Sequence, residues 1–244
     1  MIGENFKELI NKTAKRHRSR VILALDKIRI AKTLEEKEKY KQEILDIAKE
    51  TSPYLAAIKI GYPLVLATDL SFVTEIKIVS NLPIIGDFKI ADIGYTNSLI
   101  AELAFSSGID AVIAHAFVGK DSVDAIIETA KKFGDKGVFL LPLMSHPGAK
   151  MFMKPLMREL VELCIIEDVT GVIAPATRLD DLKRIRELIG EEQLILAPGV
   201  GAQGAQPGSA IKEGANFEII GRAIYNAETP SKAAKFFAEK TWRV

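Results

Sequence analysis

The chain has 244 residues, 48% of them hydrophobic, which is enough for one sizeable core, and a single α/β barrel commonly uses about 250 residues. Its net charge is +1, with 33 Lys and Arg mixed among 32 Asp and Glu, so we expect small molecules or protein chains as partners, and no nucleic acid or membrane. With one cysteine, no charged-then-apolar leader and no apolar run near the ~20 residues that cross a bilayer, we expect a cytoplasmic protein without disulfides.

In chain order, residues 1–19 predict a helix that precedes the main fold and covers its lower end. Residues 20–244 then alternate apolar, β-branched runs with amphipathic segments at helical spacing, several of which end in glycine. The runs interpreted as strands are RVILALD, LAAIKI, PIIGDFK, DAVIAHA, GVFLLPL, GVIAPA, LILAPG and FEIIG. Eight such units predict a single-domain α/β fold, a (β/α)8 TIM barrel with an N-terminal helical extension; an open doubly wound sheet is the alternative.

Polar residues at the predicted strand ends are the candidate functional residues, because chemistry in such a barrel sits at the C-terminal ends of the strands. They are Asp26, Lys59, Asp87, Lys89, Asp92, His115, Ser145, His146, Gly221 and Arg222.

Four of these residues predict a charged array at the barrel mouth. Asp87 and Lys89 are two apart on one strand and so share a side, while Phe88 between them faces the helices. Asp26 and Lys59 come from the two preceding strands at similar height. Each ion then lies beside an opposite charge, which offsets the several kcal/mol lost when an ion leaves water. Any one of these pairs could be a structural ion pair that stiffens the barrel. The convergence of four charged residues at the catalytic rim favours a functional site instead.

A glycine-rich loop predicts a phosphate site. Residues 197–208, APGVGAQGAQPG, follow the seventh strand, and GRAIY follows the eighth, where barrels of this kind often bind phosphate. Arg222 can give a bidentate contact and Gln203 an amide. GVGAQG also fits the dinucleotide fingerprint, but only about forty residues follow it, too few for the remainder of that motif. The alternative to a phosphate site is a loop that is merely a flexible turn. The length and glycine content of the loop also suit a lid that closes over a ligand.

The remaining candidates are weaker. Single histidines at strand ends, such as His115 and His146, are more often structural than ligands, so neither is given a catalytic role and no metal site is predicted. Pro175, Ala176 and Pro198 are interpreted as apolar walls of the site, although core packing explains them equally well.

Taken together, the motifs LALD, AIKIGYPL, DFKIADI followed by Thr96, MSHPGA, PGVGAQG and GRAIY resemble the orotidine 5′-phosphate decarboxylase family in its shorter archaeal or bacterial form. The resemblance covers the barrel from VILALD to GRAIY, and its most specific part is D-x-K-x-x-D in register with the other motifs. It implies decarboxylation of orotidine 5′-monophosphate to uridine 5′-monophosphate in pyrimidine biosynthesis, without a cofactor.

The resemblance also implies residue roles. Asp26, Lys59, Asp87 and Lys89 would surround the substrate, with Lys89 stabilising a carbanion at C6 and then protonating it. Asp87 would lie near the substrate carboxylate, where repulsion is relieved as CO₂ departs.

By the same resemblance the other positions bind substrate: Ser145 at the pyrimidine, Gln203, Gly221 and Arg222 at the phosphate, and Asp92 and Thr96 at the ribose of the partner in a homodimer. Pro198, as an apolar wall, is expected to bind substrate as well. Asp92 is also expected to be catalytic. The family usually has proline where this chain has Gly94.

Two other functions stay open. A magnesium-dependent sugar-phosphate decarboxylase or aldolase of the same superfamily shares D-x-K-x-x-D, but such relatives use an acid for the metal where this chain has Lys59, whose charge repels a cation. A catalytically silent nucleotide-phosphate-binding barrel is the other alternative, although a silent protein has no need of Lys89.

Overall fold

The computed structural model describes residues 2–244, which form a closed barrel of eight parallel strands. The strands are β1 (Val21–Ala24), β2 (Ala57–Gly61), β3 (Ile84–Ile90), β4 (Ala111–His115), β5 (Gly137–Leu141), β6 (Gly171–Ile173), β7 (Leu194–Pro198) and β8 (Phe217–Ile220). Each strand pairs with the next, and β8 pairs with β1. The predicted (β/α)8 barrel is confirmed, and the open sheet is wrong because the β1–β8 ladder closes the ring.

Helices precede, connect and follow the strands. They are α1 (Glu4–His17), α2 (Leu34–Thr51), α3 (Tyr62–Ala67), α4 (Phe72–Ser80), α5 (Gly94–Ser106), α6 (Lys120–Lys132), α7 (Ala149–Phe152), α8 (Met157–Ile166), α9 (Leu179–Ile189), α10 (Ser209–Lys212), α11 (Arg222–Tyr225) and α12 (Pro230–Trp242). In the described part of the chain, no helix is long and apolar enough to span a bilayer.

The strands separate an apolar layer inside the barrel from an apolar layer between strands and helices, and this division determines which way each side chain points. On β2, Ile58 and Ile60 belong to the layer between strands and helices. Because side chains alternate along a strand, Lys59 between them points into the barrel. The inward layer is otherwise apolar at this level, so a charged residue there is exceptional.

α1 closes the N-terminal end of the barrel, as the sequence predicts. Phe6, Ile10 and Ala14 recur every four residues, form one face of the helix, and are buried against inward-facing strand residues. The Phe6 ring meets Phe139 of β5 edge-on, with ring centroids 5.7 Å apart. The helix therefore completes the inner core from below.

Shortening Phe6 tests this role. Phe6→Ala removes a buried ring, so the free energy of unfolding should fall by about 3–5 kcal/mol. Leu9→Ala, on the same helix but 40% exposed, should lower it by less than about 1 kcal/mol. Urea titration followed by circular dichroism measures both, and equal losses would contradict the packing described for α1.

Candidate active site

A cavity of about 370 Å³ opens at the C-terminal ends of the strands. It is lined by most of the polar candidates from the sequence: Asp26, Lys59, Asp87, Lys89, Ser145, Pro198, Gln203, Gly221 and Arg222. This is the end of a (β/α)8 barrel where ligands bind.

One side of the cavity carries a continuous chain of ion pairs. Lys59 Nζ donates to Asp26 Oδ2 at 3.1 Å and to Asp87 Oδ2 at 2.8 Å. Lys89 Nζ donates to the other oxygen of Asp87, Oδ1, at 2.8 Å. The structure therefore joins the four charges into one alternating row, acid–base–acid–base.

Neighbouring opposite charges keep the inner members of the row ionised despite their burial. Burial would lower the pKa of Lys59, but Asp87 and Asp26 outweigh it and the pKa lies above its ordinary value. Burial would raise the pKa of Asp87, but Lys59 and Lys89 lower it to about 2. The Lys89 side chain is 39% exposed against 7% for Lys59, so the outer ammonium faces the cavity.

The backbone of β3 departs from a regular strand to make this contact. Gly86 lies opposite Val112 and Ile90 opposite Ala114, so β3 advances four residues while β4 advances two. Within this bulge Lys89 has φ 46°, a left-handed conformation that is uncommon for a residue with a side chain. Simple alternation is therefore the wrong reason for the Asp87–Lys89 contact, because the bulge re-aims Lys89.

Phe88 faces outward from β3, as the sequence predicts. Its ring stacks on Tyr62 of α3 with centroids 5.0 Å apart, and it is buried in the layer between strands and helices. This packing fixes the middle of the bulge between the two charged side chains.

Asp26 is held by backbone groups. The N–H of Gly61 donates to Asp26 Oδ1 at 3.0 Å. A Cβ at Gly61 would lie 3.0 Å from the same oxygen, so only glycine allows this approach without displacement. One Asp26 oxygen thus faces Lys59 and the other is fixed by the end of β2.

A further part of the cavity lining comes from the glycine-rich loop after β7 and from the start of α11 after β8. Arg222 is the first residue of α11, directly after Gly221. Within the loop, Gly201 N–H donates to the Ala205 carbonyl at 3.0 Å and Gly204 N–H to the Gly201 carbonyl at 2.9 Å, which turns Gln203 out at the tip. Gln203 and Arg222 therefore line the same cavity as the charged row.

Apolar lining was the part that sequence reasoning missed. The additional cavity residues are Ala24, Ile113, Leu141, Leu143, Met144, Ile173, Gly199, Val200, Ala202, Ile219 and Tyr225. Inward apolar residues near a strand end are indistinguishable by pattern from core, although their spacing two residues before a polar strand end is a usable signal. Among the expected walls, Pro198 lines the cavity whereas Pro175 and Ala176 do not.

Asp92 and Thr96 do not line the cavity of their own chain. Asp92 is exposed and precedes α5, where its Oδ1 accepts the N–H of Ile93 at 2.7 Å. α5 begins at Gly94, the position where the family usually has proline, so Thr96 still lies in the first turn. Both side chains are separated from the charged row within one chain.

Neither candidate histidine lines the cavity. His115 is buried, and its ring contacts the ring of Phe117 in a tilted arrangement, with centroids 4.6 Å apart. Burial and the nearby charge of Lys89 lower its pKa. Over residues 2–244 there is no group of three or more His, Cys, Asp or Glu side chains placed to hold a metal ion.

The closed barrel, the charged row and the glycine-rich loop at its C-terminal rim define a (β/α)8-barrel enzyme. A model of the family described as orotidine 5′-phosphate decarboxylase / HUMPS matches residues 19–237, and the chain belongs to this family.

Two relatives and one solved structure illustrate the match. Orotidine 5′-phosphate decarboxylase of Thermococcus kodakarensis is 44% identical over 226 residues, 93% of this chain and 98% of that protein. The Methanosarcina acetivorans protein of the same name is 44% identical over 82% of this chain and 89% of its own. The crystal structure of the Methanocaldococcus jannaschii orotidine 5′-monophosphate decarboxylase, complexed with inhibitor BMP, has a TM-score of 0.82 and 38% identity, covering 91% of this chain and 98% of that one.

The pKa of Asp87 makes a prediction about acid stability. Its folded pKa of about 2 lies below the ordinary 3.8, so its contribution is present above pH 4 and is lost as pH falls towards 2. Since one pKa unit corresponds to about 1.4 kcal/mol, wild type should lose about 2 kcal/mol more between pH 5 and pH 2 than Asp87→Asn. Urea unfolding across this range measures the difference.

Asp180→Asn is the matched control, because it removes an exposed carboxylate outside the cavity. Its acid dependence should stay close to wild type. The same dependence in wild type and Asp87→Asn would show that the ion pairs do not depress the Asp87 pKa.

Proposed function

We propose that this chain catalyses the cofactor-independent decarboxylation of orotidine 5′-monophosphate to uridine 5′-monophosphate, a step of pyrimidine biosynthesis. The observation that carries the proposal is the unbroken row from Asp26 to Lys89, at hydrogen-bond distances, in a cavity that also presents Arg222. The names of the relatives, orotidine 5′-phosphate decarboxylases over most of both chains, support it.

Loss of CO₂ from C6 of orotate leaves an electron pair in the plane of the ring, where the π system cannot delocalise it. Stabilisation must then come from a fixed charge near C6, and Lys89 supplies the ammonium. Asp87 accepts a hydrogen bond from it at 2.8 Å and so orients it. Lys89 stabilises the developing anion and then transfers a proton to C6.

Asp87 acts on the ground state as well. Its depressed pKa keeps it anionic at neutral pH, and it lies beside the substrate carboxylate. The two negative charges repel each other until the carboxylate leaves as neutral CO₂, so departure relieves the repulsion. Lys59, anchored to both acids, prevents Asp87 from turning away.

The phosphate is bound by Arg222, Gly221 and Gln203, away from the charged row. Ser145 contacts the pyrimidine and Pro198 packs against it, both from the cavity lining. Because the phosphate is remote from C6, its binding energy orients the ring and closes the loop over the site.

The site is completed by a second chain in a homodimer. Asp92 and Thr96 are outside their own cavity, and exposed apolar side chains surround them, with Ile93 68%, Tyr95 73% and Leu103 61% exposed. A surface of this kind is typical of a protein–protein interface. Across it, Asp92 and Thr96 reach the ribose in the partner's cavity, and Asp92 adds a third acid to the charged row.

The function is tested by following the ultraviolet absorbance of orotidine 5′-monophosphate with and without a chelator. Stoichiometric conversion to uridine 5′-monophosphate at the same rate in both samples supports the proposal. Activity that depends on magnesium, restored by adding it back, would favour the metal-dependent relatives. Binding without turnover would favour a silent nucleotide-phosphate-binding barrel.

Lys89→Ala should lower kcat by at least about 1000-fold, because it removes the charge and the proton next to C6. The affinity for uridine 5′-monophosphate should change little, since the phosphate groups are untouched. Single-turnover kinetics and calorimetry separate the two effects. Near-normal turnover in this variant would exclude Lys89 as the proton donor.

Shared sites predict complementation between inactive variants. Asp92→Ala and Lys89→Ala each disable every site in their own homodimers. In a mixed dimer one of the two sites combines a normal Lys89 with a normal Asp92, so about a quarter of wild-type activity should return after random exchange. Mass spectrometry of labelled chains verifies the exchange, and no recovery after it would show that each chain holds a complete site.

A further inference from the structure

Glu218 is a buried carboxylate that the proposed mechanism does not use. It lies in the middle of β8 and is 0% exposed. Its neighbours Phe217 and Ile219 belong to the inner core, so the alternation of the strand turns Glu218 outward, away from the cavity. In the described chain no Lys or Arg forms an ion pair with it.

The partners of this carboxylate are backbone N–H groups at the end of the glycine-rich loop. Gly208 N–H donates to Oε2 at 2.9 Å and Ala210 N–H to Oε1 at 3.1 Å. Gly208 is the last loop residue and precedes α10. Both oxygens of Glu218 therefore hold the point where the loop rejoins the barrel.

The energetics indicate that this contact is not a packing device. Burial raises the pKa of Glu218, and hydrogen bonds from the backbone N–H groups of Gly208, Ala210 and Ile211 only partly oppose that effect. A buried carboxylate without a cation is unfavourable compared with an apolar residue of similar size. The loop tip is exposed from Gly201 to Gly204, whereas Gly208 is buried. The carboxylate therefore binds the loop where it enters the protein and leaves the tip in contact with solvent.

We propose that Glu218 is a positioning residue, whose carboxylate ties the trailing end of the glycine-rich loop to β8 so that Gln203 is presented to the substrate phosphate from a loop held at both ends. The leading end is fixed by β7, which ends at Pro198. β8 also leads directly into Gly221 and Arg222, so Glu218 connects the two halves of the phosphate site. This inference rests on the proposed function.

Glu218→Gln is the principal test, because it keeps the shape of the side chain but leaves a single oxygen to accept from the backbone N–H groups at the end of the loop. With orotidine 5′-monophosphate, kcat/KM should fall about 10-fold, mainly through KM, since the loop is no longer fixed when it meets the phosphate. With orotidine, which has no phosphate, kcat/KM should change by less than about 2-fold. Arg222→Ala provides the comparison for a phosphate-selective loss.

Thr170→Val is the matched structural control. The Thr170 hydroxyl is buried and accepts the N–H of Val138 at 2.9 Å, outside the cavity and the loop. Its replacement should change both substrates equally, if at all. Equal losses with both substrates in Glu218→Gln, or no loss, would overturn the proposal.

A binding measurement covers the case in which Glu218→Gln folds poorly. Glu218→Asp keeps the charge and both oxygens but shortens the reach, so it should weaken uridine 5′-monophosphate and leave uridine unchanged in calorimetry. Equal weakening of the two ligands would also overturn the role of Glu218. Failure of the wild-type protein to decarboxylate orotidine 5′-monophosphate would instead overturn the proposed function. In that case, binding of uridine 5′-monophosphate and of uridine would still test whether Glu218 positions the loop.

Discussion

The position of Lys59 between two carboxylates is the interaction on which the rest of the site depends. Its ammonium donates to Asp26 at 3.1 Å and to Asp87 at 2.8 Å, and its side chain is 7% exposed. Without this cation, two acids would share a partly buried pocket, and repulsion would drive one of them to take up a proton. With it, Asp87 stays ionised and its second oxygen is free to accept from Lys89.

Such a row is a poor way to stabilise a fold, since well-packed apolar residues commonly replace a buried ion pair without loss of stability. The backbone indicates the same conclusion. Lys89 adopts a left-handed conformation inside a bulge, and a Cβ at Gly61 would come within 3.0 Å of Asp26 Oδ1, closer than side chains usually approach. Unfavourable conformations persist where the surrounding structure enforces them, and they concentrate at functional sites. These features support the proposed catalytic role of the row, as an array of charges fixed before the substrate arrives.

Much of this arrangement could be predicted from sequence because two simple regularities hold. Continuous apolar strands alternate with amphipathic helices, and this alternation predicts the barrel. Polar residues at the ends of parallel strands lie at one rim, and this placement predicts the site formed by Asp26, Lys59, Asp87 and Lys89. The bulge could not be predicted, because the residue sequence of β3 does not differ from that of a regular strand. The register shift is visible only in the pairing of β3 with β4. The sequence shows Glu218 as an acid inside an apolar strand, but the contacts of Glu218 could not be predicted, because its partners are backbone N–H groups that every residue except proline carries.

The two ends of the barrel have divided roles that follow from this charge distribution. Inward-facing side chains at the lower end are apolar, and α1 packs Phe6, Ile10 and Ala14 against them, so this end can be closed permanently. Under the proposed function the upper end cannot be closed in the same way, because the row must admit a charged substrate. A loop anchored at both ends and exposed at its tip would meet both requirements. In the proposed mechanism it leaves the cavity open to solvent before binding and closes on the phosphate, and the exclusion of water then strengthens the field that Lys89 and Asp87 exert on the ring.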